Sequence, residues 1–374
     1  MKRNAEQVRS SRRTERHWEI LLSSVLMLIF SQPLSCAEAS GPPKPPSAGY
    51  VDMHCHIAGI GAGKSGCFIS SGLQKNWRFK QYLRAFGITR RELEEKGDNL
   101  VADKISASLA QSKYVSKAVI LALDGVVGKD GKLDTSRTQI YVPNEFVADA
   151  VGRHKNLLFG ASVNPYRSDA LARLEWAKAH GAVLVKWIPS IMNIDPADPK
   201  LVPFYRKLIE LDLPLLSHAG KEFSFPSVND ELCDPDKLQL PLKIGVKVIV
   251  AHIASTGTYD GERSTDRLIR LMRSYQNVYA DLSALTQLNR IFSMREALTR
   301  PEFKGRLLYG TDYPIINTAL VSPWYYGLRL SPKKMIAISK TKNPWDADVL
   351  LKRELGTPVD IFERSKRFFC KKKQ

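Results

Sequence analysis

The sequence predicts an α/β protein built as a (β/α)8 barrel, and three observations carry that prediction. From Tyr50 onward, eight short aliphatic or β-branched runs follow one another, at 49–56, 117–124, 157–163, 182–188, 213–218, 246–252, 277–283 and 306–312. Segments with helical periodicity or composition lie between them, at 99–112, 144–154, 168–180, 201–211, 263–275 and 289–299. The strands themselves read as near-continuous apolar runs, the pattern of parallel strands covered on both faces. Eight such units in about 325 residues fit a closed barrel with insertions. An open doubly wound sheet would need a fingerprint turn after an early strand, and none follows.

Ahead of the barrel, residues 1–39 read as a targeting segment. Basic residues from Lys2 to Arg16 lead into the apolar run ILLSSVLMLIF, too short for an ordinary membrane span and suited to a signal core. Ala37 and Ala39 give a small-x-small cleavage pattern, so a mature chain would begin at Ser40 with a proline-rich leader over 40–49. The expectation is export to the periplasm. Left uncleaved, the segment would be a membrane anchor, and Cys36 would allow a lipoprotein.

The balance of 44% hydrophobic and 25% charged residues over 374 positions excludes a disordered or fibrous chain. The formal charge of +18 is spread along the sequence, and no nucleic-acid-reading module accompanies it, so nucleic acid is not an expected partner. A solvated basic surface is the simpler reading, in a protein working on acidic substrates or near anionic lipid. Five widely spaced cysteines form neither a disulfide framework nor a zinc knuckle, and leave one Cys67–Cys233 bridge open.

Active sites on such barrels sit at the carboxyl ends of the strands. There the predicted strands place His54 and His56 (first), Lys186 (fourth), His218 (fifth), His252 (sixth) and Asp312 (eighth). Four of the seven histidines thus close strands, while His17, His154 and His180 fall in the leader or late in helices, as solvated or capping residues. A lone histidine at a strand end is most often a hydrogen-bonded structural group; four converging with an aspartate point to a metal. Strand alternation turns His54 and His56 inward and Met53 and Cys55 toward the helices. Two imidazoles from one strand, a third histidine and the Asp312 oxygen make a nitrogen-rich site suited to zinc and open to iron, manganese or cobalt. Such an ion would supply hydroxide near neutral pH, and Asp312 could take the water proton and return it to a leaving group.

Taken in order, VDMHCH, VKWIP, SHAG, VIVAHIAS and LLYGTDYP, on the first, fourth, fifth, sixth and eighth strands, resemble the amidohydrolase superfamily, especially its amidohydrolase-related branch. The resemblance runs over residues 50–320 and implies a distorted TIM barrel with one or two divalent metals, zinc foremost, and a hydrolytic water. It implies His54, His56, His218, His252 and Asp312 as metal-site residues, with Asp312 also the proton shuttle. Lys186 matches the place where binuclear members similar to phosphotriesterase or dihydroorotase carry a carbamylated lysine bridging two metals. In mononuclear members that place serves substrate or structure, and the sixth-strand histidine can be catalytic. Asp312, His252 and Lys186 are therefore the catalytic candidates, and His54, His56, His218, Asp312, Lys186 and His252 the metal candidates. A lysine beside a dication has to be carbamylated, neutral or paired with an anion, unless it merely reaches solvent at the barrel mouth.

The stretch 57–98 is far longer than an ordinary barrel loop and is expected to be a lid or subdomain over the metal. Its basic and aromatic residues, among them Lys75, Trp77, Arg78, Phe79, Tyr82, Arg84 and Phe86, suit an acidic or aromatic substrate, or a basic helix facing solvent. Within it, GAGKSG looks like a phosphate loop, but the first glycine of that motif would fall at Ala58, and Lys64 lies well past the strand end. The tail, 319–374, reads as helices closing on the barrel. Three functions fit: hydrolysis of an amide, ester or lactone; non-hydrolytic decarboxylation of an aromatic or enol acid; or metal binding without catalysis. A small molecule and a second copy of the chain are the expected partners, with membrane contact only through an N-terminal anchor.

Overall fold

The computed structural model describes residues 49–226 and 228–369. The expected signal segment, Cys36 and His17 lie outside them.

Eight parallel strands pair in chain order: β1 (Tyr50–His56), β2 (Val115–Leu121), β3 (Leu157–Ala161), β4 (Ala182–Trp187), β5 (Leu215–Ser217), β6 (Val248–Val250), β7 (Val278–Asp281) and β8 (Leu307–Leu308). The ring closes where β1 meets β8 and the turn beyond it. Met53 N donates to the Tyr309 carbonyl at 3.1 Å, Asp312 N to that of His54 at 2.8 Å, and His56 N to that of Tyr313 at 2.8 Å. The predicted (β/α)8 barrel is therefore the fold, and each predicted run meets one strand, the second of which starts two residues earlier than expected, at Val115. Helices Asn99–Ala110, Asn144–Arg153, Ala170–Ala179, Val202–Glu210, Ser264–Ser274 and Ser293–Thr299 fall in the predicted segments. His154 and His180 follow two of these helices, the first meeting Asp103 at 2.8 Å and the second the Trp176 carbonyl at 2.8 Å.

Two apolar shells hold the barrel. Val51, Met53, Val119, Leu121, Leu184, Leu216, Ile249 and Leu308 fill its interior, and Phe368 and Phe369 pack against this plug from the helix Val359–Phe369. A larger shell lies between strands and helices; each large aliphatic side chain buried in it contributes about 1.5–3 kcal/mol. Met53 corrects the simple alternation: it belongs to the interior plug, whereas Cys55 does face the helices. The reason is an irregularity in the β1–β2 register between Asp52 and Cys55, which changes parity so that Val51, Met53, His54 and His56 all face inward.

Asp52 points the other way and braces the closure. Its carboxylate accepts from the backbone N of His54 (3.0 Å) and Thr311 (3.0 Å), from Thr311 Oγ1 (2.6 Å) and from Trp345 Nε1 (2.9 Å). Trp345, on the helix Pro344–Glu354, stacks on Tyr313 with ring centroids 4.7 Å apart. Cys55, Cys67 and Cys233 are buried and free, so the Cys67–Cys233 bridge is not formed. Among the described residues no helix is long and apolar enough to cross a membrane.

The segment after β1 folds into three short helices, Ser71–Lys75, Trp77–Phe86 and Arg90–Lys96. Its GAGKSG turn wraps around Asp98, whose carboxylate accepts from Ile60 N (3.0 Å), Gly61 N (2.8 Å) and Ser65 Oγ (2.5 Å). Gly61 N and Ser65 Oγ of the turn are thus committed to this side chain, a structural use of the motif.

Candidate metal centre

The functional side chains converge at the carboxyl end of the barrel. His54, His56 and Lys186 stand on β1 and β4, and His218 follows β5 by one residue. His252 lies in the single turn Ala251–Ala254 after β6, and Asp312 in the turn after β8. Both of these adopt left-handed backbone, with φ 55° and 63°. Such geometry costs a non-glycine residue about 1–3 kcal/mol and persists only where the surroundings impose it. Here they do: His252 N donates to Asp281 Oδ1 at 2.9 Å, and Asp312 N to the His54 carbonyl.

His54 Nε2 and His56 Nε2 face one another at 3.2 Å, with Asp312 Oδ1 at 3.5 and 3.2 Å from them. This trio fits a cation. Donors about 2.0–2.1 Å from a tetrahedral ion stand roughly 3.3 Å apart. The tautomer fits as well, because His54 Nδ1 meets Asp281 Oδ2 at 2.9 Å, which leaves the Nε2 lone pair pointing into the site. His252 is oriented in the same way, its Nδ1 meeting Ser283 Oγ at 2.7 Å and the Ser283 carbonyl at 3.1 Å. Its Nε2 lies 4.0 Å from Asp312 Oδ2. Ser283 Oγ also bonds Asp281 Oδ1, so one carboxylate and one hydroxyl steady both rings. The His218 ring packs edge-on to His252, and its buried Nε2 has no hydrogen-bond partner, with Glu222 Oε2 at 3.5 Å. Lys186 is buried, and its Nζ sits 3.2 Å from His54 Nε2.

Electrostatics keep this cluster ready for a cation. Burial and the neighbouring Lys186 lower His54 to about 4, and burial lowers His218 and His252 too, so the three imidazoles stay neutral donors at pH 7. Burial lowers the Lys186 amine, against the pull of Asp312, Asp281 and Glu222. Burial alone would raise Asp281 and Asp312, but the surrounding histidines prevail and hold both carboxylates below their usual range.

All six residues expected from the sequence therefore line or adjoin one site. His54, His56 and Asp312 form its tightest group; His218 stands outside the sets whose donor atoms lie within 4.8 Å of one another. The sequence reading passed over Asp281, Ser283, Glu222 and Arg290. Asp281 carried a usable signal, being the one ionisable side chain at the end of the seventh apolar run, NVYADLS.

Above the donors lies a cavity of about 550 Å³. The 57–98 segment supplies Ile57, Ile60, Leu73, Phe79, Leu83 and Phe86 to its wall, and Tyr82 among its polar groups. Exposed Trp77, Phe223 and Leu320 stand at its rim. The segment's cations mostly turn outward: Lys75, Lys80, Arg84, Arg90 and Arg91 are exposed, whereas Arg78 lines the cavity and lies over the Trp77 ring. Its basic and aromatic residues thus fall mostly on two faces of an amphipathic element, one of which lines the cavity.

The sequence model of the Amidohydrolase family matches residues 51–338. The chain belongs to that family. An amidohydrolase scaffold of this kind is metal-dependent, and the inward-facing donors include two groups of the kind that can hold an ion. No curated protein matches the amidohydrolase chain by sequence. Among solved structures it is similar to an uncharacterized TIM-barrel protein from Bordetella bronchiseptica (16% identity, 82% of this chain and 99% of that one, TM-score 0.49). It is similar also to 5-carboxyvanillate decarboxylase from Sphingomonas paucimobilis (10%, 87% and 99%, 0.46) and to dihydroorotase from Campylobacter jejuni (14%, 87% and 84%, 0.41).

Proposed function

We propose that this amidohydrolase cleaves an amide, ester or lactone bond of a small acidic or aromatic molecule, at a centre where a carbamylated Lys186 would help to hold two divalent ions. The observation that carries the reading is the placement of that lysine. Its amine is buried inside the barrel, 3.2 Å from His54 Nε2, and lines the same cavity as His56, His218 and His252. An ammonium there would be repelled by a dication. Burial favours the neutral amine, which adds carbon dioxide, releases a proton and becomes a carboxylate. The repelled group would then become an anionic ligand.

In this reading His54, His56 and Asp312 would hold one ion, and His218, with its unpartnered Nε2, and His252 would hold the second. Zinc suits so imidazole-rich a set. When bound, such ions lower the pKa of water to about 7 and polarise the oxygen under attack. The chain does the rest. Asp312 accepts the proton of the attacking water and hands it to the leaving group. Tyr82, whose phenol burial keeps protonated, can donate to the substrate from the cavity wall. The apolar wall of the 57–98 segment keeps bulk water off the reacting bond.

The test is a panel of lactones, aryl esters and N-acyl amides run beside aromatic carboxylic acids. Hydrolysis is expected, with kcat falling at least about 100-fold in Asp312→Asn. Carbon dioxide released from the aromatic acids, with no hydrolysis, would assign the same donors to decarboxylation. Activity unchanged in Asp312→Asn, with metal still bound, would remove catalysis from this site.

A further inference from the structure

Three arginines of the described structure are at least nine-tenths buried, and two of them are ion-paired with carboxylates. Arg167 grips Asp124 through two nitrogens, Nε at 2.6 Å and Nη2 at 2.5 Å. Arg267 is surrounded by Asp234, Asp236, Asp260 and Glu262. Arg290 differs. It is 9% exposed, lies at the end of the turn Leu288–Arg290 after β7, and lines the cavity beside His218, His252 and Asp312. Its Nη1 donates to Ser255 Oγ at 2.7 Å, and its buried Nε has no hydrogen-bond partner. Among the described residues no carboxylate stands within 4.0 Å of the guanidinium.

A buried cation without a counter-ion is costly, and the cost falls away when an anion arrives. The acids that Arg290 senses from further off are Asp312, Glu222 and Asp281. Asp281 is engaged with His54 and Ser283, Glu222 with His218 and the Ser224 amide, and Asp312 with the donor trio. Loading the centre with ions would take up Asp312 and leave Arg290 still less compensated. Ser255 fixes one end of the guanidinium and leaves the Nε edge for a ligand. That edge is the planar fork that matches a carboxylate.

We propose that Arg290 anchors a carboxylate of the substrate, so that this site acts on molecules combining an aromatic or aliphatic body with a carboxylate close to the bond that reacts. The apolar wall takes the body, and Arg290 fixes the anionic end beside the donor cluster. This deepens the hydrolase reading and rests on it for the identity of the scissile bond alone. Arg290 is a binding residue here, and the inference names which edge of the cavity selects the substrate.

The experiment compares binding of 4-phenylbutyrate and its uncharged analogue 4-phenylbutyramide to the zinc-loaded full chain by calorimetry, in the wild type and in Arg290→Met. The wild type is expected to prefer the carboxylate by at least about tenfold. Arg290→Met is expected to lose that preference while zinc content and amide affinity stay unchanged. Equal affinity for the two probes in the wild type would overturn the proposal, and so would a preference that survives in Arg290→Met, since the ions would then be the anchor. Should Arg290→Met fail to fold, Arg290→Lys decides. It keeps the charge and loses the fork, so the preference should drop at least about threefold, and an unchanged preference would overturn the proposal. The readout is binding. An arginine-dependent preference in a protein that hydrolyses nothing would sink only the hydrolase reading, and hydrolysis with no such preference would sink only this one.

Discussion

His54 and His252 turn their Nδ1 atoms toward the same two groups, Asp281 and Ser283, and so present both Nε2 lone pairs to one space. An imidazole whose far nitrogen donates to a carboxylate is fixed in tautomer and orientation, and gains basicity as a ligand. Asp281→Ala should therefore weaken metal binding by about 10- to 100-fold without touching an ion directly. Competition with a chromophoric chelator would measure it, and circular dichroism would confirm an intact barrel. Affinity equal to that of the wild type would show that Asp281 does not aim these rings. Of these residues, the histidines and Asp312 were legible in the sequence because a strand end concentrates them. Asp281 and Ser283 were less so, since a residue that acts on a ligand from behind has no spacing of its own. Arg290 was beyond reach: its meaning lies in the carboxylates it lacks, and a sequence does not display a missing neighbour.

At the scale of elements, the eight strands and the helices between them were readable because parallel strands covered on both faces leave continuous apolar runs. The parity of β1 was not. Alternation alone turns Met53 outward, and the register irregularity between Asp52 and Cys55 turns it inward with the two histidines. The same strand sends Asp52 outward to brace Thr311 and Trp345, tying β1 to the turn that carries Asp312 and to a C-terminal helix. Asp52→Ala leaves the Trp345 indole and the Thr311 amide as buried donors without partners, at a cost of roughly 3 kcal/mol. A thermal or urea melt of the full chain should show that loss of stability, and unchanged stability would mean that water replaces the carboxylate. The GAGKSG turn belongs at this scale too. Its letters suggested a phosphate, and Asp98, more than thirty positions on, takes up two of its donors, Gly61 N and Ser65 Oγ.

Over the whole molecule, a closed barrel brings donors from strands far apart in the chain to one end, and the 57–98 segment walls the space above them with apolar side chains. The fold and the metal-dependent scaffold follow from this arrangement and from the family to which the chain belongs. In the proposed reaction the chemistry turns on one buried amine, that of Lys186. It lies 3.2 Å from His54 Nε2, and burial lowers its proton affinity. The measurement that tests this most directly is elemental analysis of the full chain purified in bicarbonate buffer, for the wild type and for Lys186→Met. Two divalent ions per wild-type chain, and no more than one in Lys186→Met, is the predicted result. A single ion in both proteins, or two in both, would contradict a centre bridged by Lys186.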